Sequence, residues 1–394
     1  MHVLVLPSWY STPDLLWSGT FFEDQAVALA RAGARVAVAF VEGRSLRALS
    51  PSALGDSHFQ VVCSMDRGVT TLRMRGWNTL GQTVAGAKVW CALSEHLVKL
   101  YARRFGVPDV LHAHAALWGG RVAVRMGLEL RRPCVVTEHS SLVMRGLLGA
   151  RERAEAARVY HQADAVLAVS EAMRQAVVSI AGRQMGRVVP NAVDFEFFIP
   201  PSVPRRTTPF TFLSVSSLVE GKRVDQLIRA FARVNRLRPD TRLVVVGSGA
   251  ESAHLRGVAR EYGVDSLVEF TGSLPREAVR AYMWTANALV LASTSETFGV
   301  VLVEALATGL PVISTRCGGP QGIVEPDLGL LVERDNEAEL AEAMADMVGR
   351  RYSERTLRNR AMSRFSFDDV ASQLLDVYAK LEVTPGRLTG ATTP

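Results

Sequence analysis

The sequence predicts an α/β fold made of two parallel-sheet domains, and three observations carry that expectation. Short β-branched runs alternate with amphipathic helical stretches along the chain. A length of 394 residues exceeds one ordinary core and suits two domains of about 180 residues each. Near mid-chain, VVPNAVDFEFFIPPSVPRRTTP (188–209) interrupts the alternation with five prolines and no helical period, and it reads as a linker.

In the first half the expected strands are HVLVL (2–6), RVAVAF (35–40), VLHAH (110–114), CVVTEH (134–139) and AVLAVS (165–170). Helical stretches lie between them, such as FFEDQAVALARAG (21–33), which Gly33 is placed to stop. After the linker FTFLSVSSL (210–218) reads as a strand, VDQLIRAFARVNRL (224–237) as a helix and RLVVVGSG (242–249) as a strand ending in glycines. LVEFTGSL (267–274), ALVLAS (288–293), PVIST (311–315) and GLLV (329–332) follow as strands, and SFDDVASQLLDVYAKL (366–381) as a late amphipathic helix. The expected organisation is therefore an amino-terminal domain (1–190), a linker (191–209) and a carboxy-terminal domain (210–365). The chain from 366 to 394 comprises a helix packing back on the amino-terminal domain and a frayed tail, TPGRLTGATTP. Two such domains joined by a linker leave a cleft, and ligands of open α/β sheets bind beyond the carboxyl ends of the strands.

Composition narrows the function. At 48% hydrophobic and 21% charged residues the chain is globular. Its formal net charge of +6, with many arginines in the first half, favours anionic partners, nucleotides or an acidic membrane leaflet among them. No basic run is interleaved with aromatics, so no nucleic-acid partner is expected. Cys63, Cys91, Cys134 and Cys317 show neither zinc-ligand nor disulfide-framework spacing, which fits a reducing compartment. The start, MHVLVLPSWY, lacks a basic region and reads as a strand, not a signal peptide. No 18 apolar residues run without a charge. The expectation is a cytoplasmic protein that at most touches the inner face of a membrane. VVVGSGAE does not complete a dinucleotide fingerprint, because Ser252 stands at the third glycine position.

One stretch carries the chemistry. SETFGVVLVEALATGLPV (295–312) sets Glu296 and Glu304 eight positions apart in an apolar run, with no Lys or Arg between residues 281 and 315. At 100° per residue the offset leaves 80° after two turns, which would put both carboxylates on overlapping sides of one element. An unpaired buried carboxylate is costly, and sugar or ribose hydroxyls are donors that offset the cost. Exposure of Glu304, or a remote arginine, would equally account for it.

The context of that pair, SETFGVVLVEALATGLPVISTRCGGP, resembles the retaining glycosyltransferases of family four, which have the GT-B fold of two Rossmann-like domains facing an interdomain cleft. Glu296, Phe298, Gly299, Glu304, Ala305, Ala307, Gly309, Pro311 and Val312 meet the fixed positions of the family's glutamate motif. PSWYSTPDLLWSGTFFEDQAVAL resembles the family's glycine-bearing amino-terminal loop, VLHAH and TEH its acceptor-domain histidine segments, and VVPNAVD its interdomain crossing.

The resemblance implies a donor site in the carboxy-terminal domain. Glu296 would hold the donor sugar's hydroxyls, in a loop with Phe298, Gly299 and Val300, and Glu304 would hold the ribose. Gly272 and Leu274, with Ser273, would lie beside the nucleobase. Lys222, in SLVEGKRVDQLIRA, stands ahead of a helix where family members carry a diphosphate-binding lysine. One ammonium about 4 Å from a phosphate oxygen is worth roughly 4 kcal/mol at an effective dielectric of about 20, before desolvation. Many members have arginine where this chain has Ser217 and glycine where it has Arg223, so Arg223 is the candidate for the missing charge. Gly19 and Thr20, at a helix start, suit an anion. Gly318 and Gly319 are read the same way, although Gln321 and Gly322 replace the acidic residue usual after them.

The acceptor would be held mainly by the amino-terminal domain. His139 resembles the family histidine near the reaction centre and is the first candidate to orient the acceptor hydroxyl. Glu138 beside it is the second. His112 and His114 share one strand face. Trp118 and Arg145, with Trp9, Tyr10, Trp17 and Trp77, lie on aromatic and basic stretches suited to a saccharide, a lipid-linked sugar or a small molecule. The implied reaction needs no cofactor or metal. The donor is a nucleotide-diphosphate sugar, a UDP-sugar ahead of a GDP-sugar, and His139, Glu296 and Lys222 carry the catalysis. Cell-envelope polysaccharide or glycoconjugate assembly is the expected setting, ahead of natural-product glycosylation. An epimerase, or a binding protein without catalysis, is the alternative.

Overall fold

Strands buried on both faces read as unbroken apolar runs, and those runs lie at the centres of two sheets. The computed structural model describes residues 1–11, 19–44, 58–77, 80 and 83–381. The chain divides into a first unit, Met1–Ala192 with the return from Phe367 onward, and a second, Val193–Ser366. Residues 12–18, with Trp17, and the tail lie outside the described residues.

In the first unit β1 (His2–Pro7), β2 (Arg35–Arg44), β3 (Val61–Asp66), β4 (Val69–Trp77), β5 (Val110–His114), β6 (Cys134–Glu138), β7 (Ala165–Ala168) and β8 (Arg187–Val188) form one sheet. Its order is β3-β4-β2-β1-β5-β6-β7-β8. Neighbours are parallel except β3 and β4, an antiparallel hairpin whose register pairs Val61 with Met74 and Asp66 with Val69. This hairpin is absent from the strands expected of the sequence. Residues 62–65 are exposed, so β3 lacks the alternation that marks a half-buried strand. The C-terminal helix Phe367–Ala379 packs into this unit, its Val370, Leu374 and Tyr378 sharing a core with Phe22 and Leu29.

The second unit holds β9 (Phe210–Val215), β10 (Thr241–Val246), β11 (Val268–Gly272), β12 (Ala288–Leu291), β13 (Val312–Thr315) and β14 (Gly329–Val332), all parallel, in the order β11-β10-β9-β12-β13-β14. This is the doubly wound order, with its reversal between β9 and β12. The helix Val224–Leu237 buries Leu227, Ile228 and Phe231 against β9 and β10.

The proline-rich stretch differs from a free linker. From Val193 on it belongs to the second unit, fastened by two cations that lie far away in sequence and by one of its own. Arg358 donates to the carbonyls of Phe195 and Phe198, both at 2.7 Å, and Arg280 to that of Phe197 at 2.8 Å. Arg205 donates to Thr308 O at 2.6 Å and pairs with Glu354.

Candidate active site

Ligands of doubly wound sheets bind where the strand order reverses, and in the second unit that point brings together two of the residues singled out above. Residues 220–222 make one 3-10 turn after β9, and the Gly221 carbonyl accepts from Thr294 N at 2.9 Å, tying this turn to the loop after β12. Across that tie Lys222 Nζ lies 2.6 Å from Glu296 Oε1. Ser293 donates to the same oxygen at 2.6 Å. Both bonds fall on Oε1, and no described residue donates to Oε2. The ammonium has two further N–H groups. The absence of a local cation is thus made good by one 74 residues away.

Glu296 and Glu304 do not share one helix, which corrects the angular argument. The helix runs only over Val300–Ala307, capped by Gly299 at φ 98°. Glu296 lies before it in an extended segment, bridged to Gly318. Its N–H donates to Cys317 O at 3.0 Å, and its carbonyl accepts from Gly319 N at 2.8 Å. Glu304 faces a remote arginine, with Arg276 Nη2 at 3.7 Å from Oε1. Arg276 also lies over the rings of Phe197 and Phe198. Phe298 is buried edge-on against Phe365. Gly319 passes so close to it that a Cβ would stand 2.3 Å from Phe298 Cα.

The expectation that Gly318 and Gly319 offer backbone donors is corrected here. Gly318 N bonds Gln321 Oε1 at 2.8 Å and Gly319 N bonds Glu296 O, so both donors are engaged within the protein. Gln321 serves as a cap. Arg223, at φ 49°, turns to Asp335 at 3.0 Å and Asp225 at 3.4 Å. With Glu220, Glu251 and His254 it lines a recess of about 280 Å³ to which neither Lys222 nor Glu296 contributes. Gly272, at φ 76°, ends β11, and its carbonyl accepts from Gly247 N at 2.9 Å. Leu274 is half-buried in the loop that follows, where Ser273 bonds Ser248 at 2.6 Å. Burial pushes the Cys317 thiol up to about 11, so it is neutral at physiological pH.

The first unit gathers the histidines. His112 and His114 stack with ring centroids 4.6 Å apart. His112 Nε2 meets Thr137 Oγ1 at 2.7 Å, and its Nδ1 meets the Tyr378 hydroxyl at 2.6 Å. His114 Nδ1 meets His139 Nε2 at 2.9 Å. Burial holds all three imidazoles below their ordinary range, His112 to about 3. In a neutral pair one ring donates and the other accepts. His139 Nδ1, buried and without a protein partner, therefore carries whichever role its Nε2 does not. Phe21 and Phe22, from the helix Thr20–Arg31, flank His139. That helix starts at Gly19, φ 75°, with no side-chain cap.

Two acceptor candidates prove internal. His112 is sealed, with both nitrogens engaged. Glu138 is fully buried, its four bonds going to main-chain and phenol donors. Trp118, at φ 68° in the turn Ala116–Gly120, is half-buried 6.0 Å from Trp90. Arg145 is exposed after the helical turn Ser141–Met144. Trp9 packs on Phe22, Tyr10 on Phe40, and Trp77 donates to His58. Ser8 was not foreseen. Its hydroxyl donates at 2.8 Å to His114 O, contacts Leu117 O at 2.6 Å and accepts from Gly119 N at 3.0 Å, where β1 and β5 diverge. Gly119 lies close against β1, since a Cβ there would stand 2.5 Å from Leu6 O. Among the described residues no cluster of three His, Cys, Asp or Glu forms a metal site, and no helix is long and apolar enough to cross a membrane.

Comparison with known proteins bears on both units. Residues 196–364 match the family described as Glycosyl transferases group 1, and residues 18–197 match Glycosyltransferase Family 4. The chain belongs to the family-four glycosyltransferases. As such it resembles a phosphatidylinositol N-acetylglucosaminyltransferase subunit of Arabidopsis thaliana, at 30% identity over 55% of this chain and 49% of that protein. This glycosyltransferase thus spans about half the length of that relative. Among solved structures it resembles sucrose-phosphate synthase from Thermosynechococcus elongatus (TM-score 0.77, 23% identity, 97% and 99% coverage). It also resembles Anabaena HepE in complex with UDP and glucose (TM-score 0.70, 18% identity, 97% and 100% coverage). These likenesses place the glycosyltransferase in the GT-B fold.

Proposed function

We propose that this glycosyltransferase moves a sugar, with retention of configuration, from a UDP-sugar to an acceptor hydroxyl in cell-envelope polysaccharide or glycoconjugate assembly. The carrying observation is the Lys222–Glu296 contact at the strand-order reversal of the second unit. There the two free N–H groups of Lys222 serve the departing diphosphate, stabilising charge that grows as the glycosidic bond breaks. Glu296 Oε2 takes sugar hydroxyls, Glu304 the ribose, and the loop of Gly272 and Leu274 the base. Gly19 and Thr20 offer helix-start amides to anionic groups. The first unit holds the acceptor, with His139 Nδ1 directed to its reacting hydroxyl and Trp118 and Arg145 around it. UDP in the HepE complex supports the choice of base, and the Arabidopsis relative's name supports a lipid-linked acceptor reached at an anionic membrane face.

The test is incubation of the purified protein with UDP-glucose, UDP-N-acetylglucosamine and GDP-mannose, with and without total cell extract. The expected result is UDP release that depends on extract, and a product whose anomeric configuration by NMR matches the donor. Conversion of the donor sugar without any acceptor would overturn the reading in favour of epimerisation. An inverted product would overturn retention.

A further inference from the structure

Glu138 departs from what a buried acid in a parallel sheet ordinarily does. It ends β6 at zero exposure, and among the described residues no Lys or Arg pairs with it. Its carboxylate instead accepts four hydrogen bonds. His139 N (3.0 Å) and Ser140 N (2.8 Å) donate to Oε1, while Ala116 N (2.9 Å) and the Tyr160 hydroxyl (2.8 Å) donate to Oε2. Four donors fill the acceptor capacity of a carboxylate. They come from three elements: the loop after β5, the loop after β6, and the helix Ala150–Gln162.

The loops so tied are strained or aimed. Ala115 and Trp118, on either side of Ala116, sit at φ 70° and 68°, where non-glycine residues are held only by their surroundings. On the other loop, His139 is held at its main chain by Glu138 and at its ring by His114 and Phe22. The ring atom left without a partner is Nδ1.

We infer that Glu138 is a positioning residue, clamping the loops after β5 and β6 so that His139 Nδ1 and Trp118 are presented to the acceptor. This rests on the acceptor-side reading of the first unit, which makes those two groups matter. It replaces the direct acceptor contact expected for Glu138.

A glutamine fills the same volume but brings an NH₂ group. Facing Ala116 N–H, that group sets donor against donor. Packing alone would tolerate Glu138→Gln; a four-donor clamp does not.

The experiment compares wild type with Glu138→Gln, Tyr160→Phe and His139→Ala in the full chain. Turnover is UDP release from UDP-glucose, with clarified cell extract as acceptor source, and loop order is read by amide hydrogen exchange. For Glu138→Gln the expected result is at least tenfold faster exchange in 115–120 and 139–144, with β2 and the second unit unchanged. Its kcat should fall at least tenfold while KM for UDP-glucose stays within twofold. Tyr160→Phe, losing one donor of four, should show about a threefold loss. Wild-type kcat in Glu138→Gln, an equal rise in KM, or faster exchange throughout the protein would each overturn the clamp. Wild-type turnover in His139→Ala would instead sink the acceptor-side reading, leaving the exchange pattern of Glu138→Gln to decide whether the clamp exists.

Discussion

The two units place their candidate chemistry in opposite media. In the first, three histidines and a glutamate are buried, and the histidines are held neutral by that burial. In the second, Lys222 and Glu296 retain 24% and 14% side-chain exposure, within reach of water and ligand. A buried neutral network fixes geometry and changes little when a ligand arrives. A half-exposed ion pair leaves free valences, and its charges are worth more once a ligand displaces the water around them. On the proposed function, that difference assigns positioning to the first unit and charge binding to the second.

The largest effect expected of that contrast lies in the second unit. Lys222→Ala and Glu296→Ala should each lower turnover of UDP-sugar at least tenfold, measured as UDP release. Glu296→Gln sharpens the point. Its amide oxygen can still accept from Lys222 and Ser293, while its NH₂ replaces Oε2. A kcat loss close to that of Glu296→Ala would assign the sugar contact to Oε2. Activity close to wild type would remove Oε2 from the site.

The pH response should separate the units by a smaller amount. Burial lowers the pKa of His112, His114 and His139, so below 6.5 the unfolded chain takes up protons that the folded unit refuses. Their contribution is complete above 6.5 and is lost as the pH falls toward the folded values, about 3 for His112. Each histidine costs at most about 1.4 kcal/mol per pH unit. Glu138, raised by burial, acts with the opposite sign and offsets part of this. The second unit contains one histidine, His254, which is exposed. Hydrogen exchange between pH 7 and 5 should therefore show the first unit loosening before the second. Simultaneous loosening would mean that the histidine network is not what distinguishes them.

What the sequence made legible follows from how local each signal is. The parallel strands are short apolar runs, and the glutamate motif has fixed neighbours, so both could be read along the chain. Contacts that cross the fold could not. Nothing near Glu296 announces Lys222, and nothing near Phe195, Phe197 or Phe198 announces the Arg280 and Arg358 that fasten the proline-rich stretch. Glu138 read as a second acceptor group because it stands beside His139, which is as much as neighbourhood along the chain can say. The chain leaves strand geometry after Glu138, and the carboxylate folds back onto the amides of His139 and Ser140. Gly318 and Gly319 looked like free donors because neither the cap from Gln321, three residues beyond Gly318, nor the Glu296 carbonyl that takes Gly319 N has a signature in the sequence.

The smallest effect concerns Arg223, expected from sequence to replace the charge that Ser217 lacks. In the structure its guanidinium is engaged by Asp225 and Asp335 beside a recess apart from the Lys222–Glu296 contact. Its backbone lies in the left-handed region at φ 49°, which costs a non-glycine residue about 1–2 kcal/mol. Arg223→Gly should thus relieve the backbone while releasing two partly exposed ion pairs of modest worth. The expected outcome is a melting temperature within about 2 °C of wild type and a donor KM within twofold. A tenfold rise in KM for UDP-glucose, at unchanged stability, would show that the guanidinium leaves its two carboxylates for the diphosphate. The second unit would then bind charge with two cations, one of them held in reserve by acids until the donor arrives.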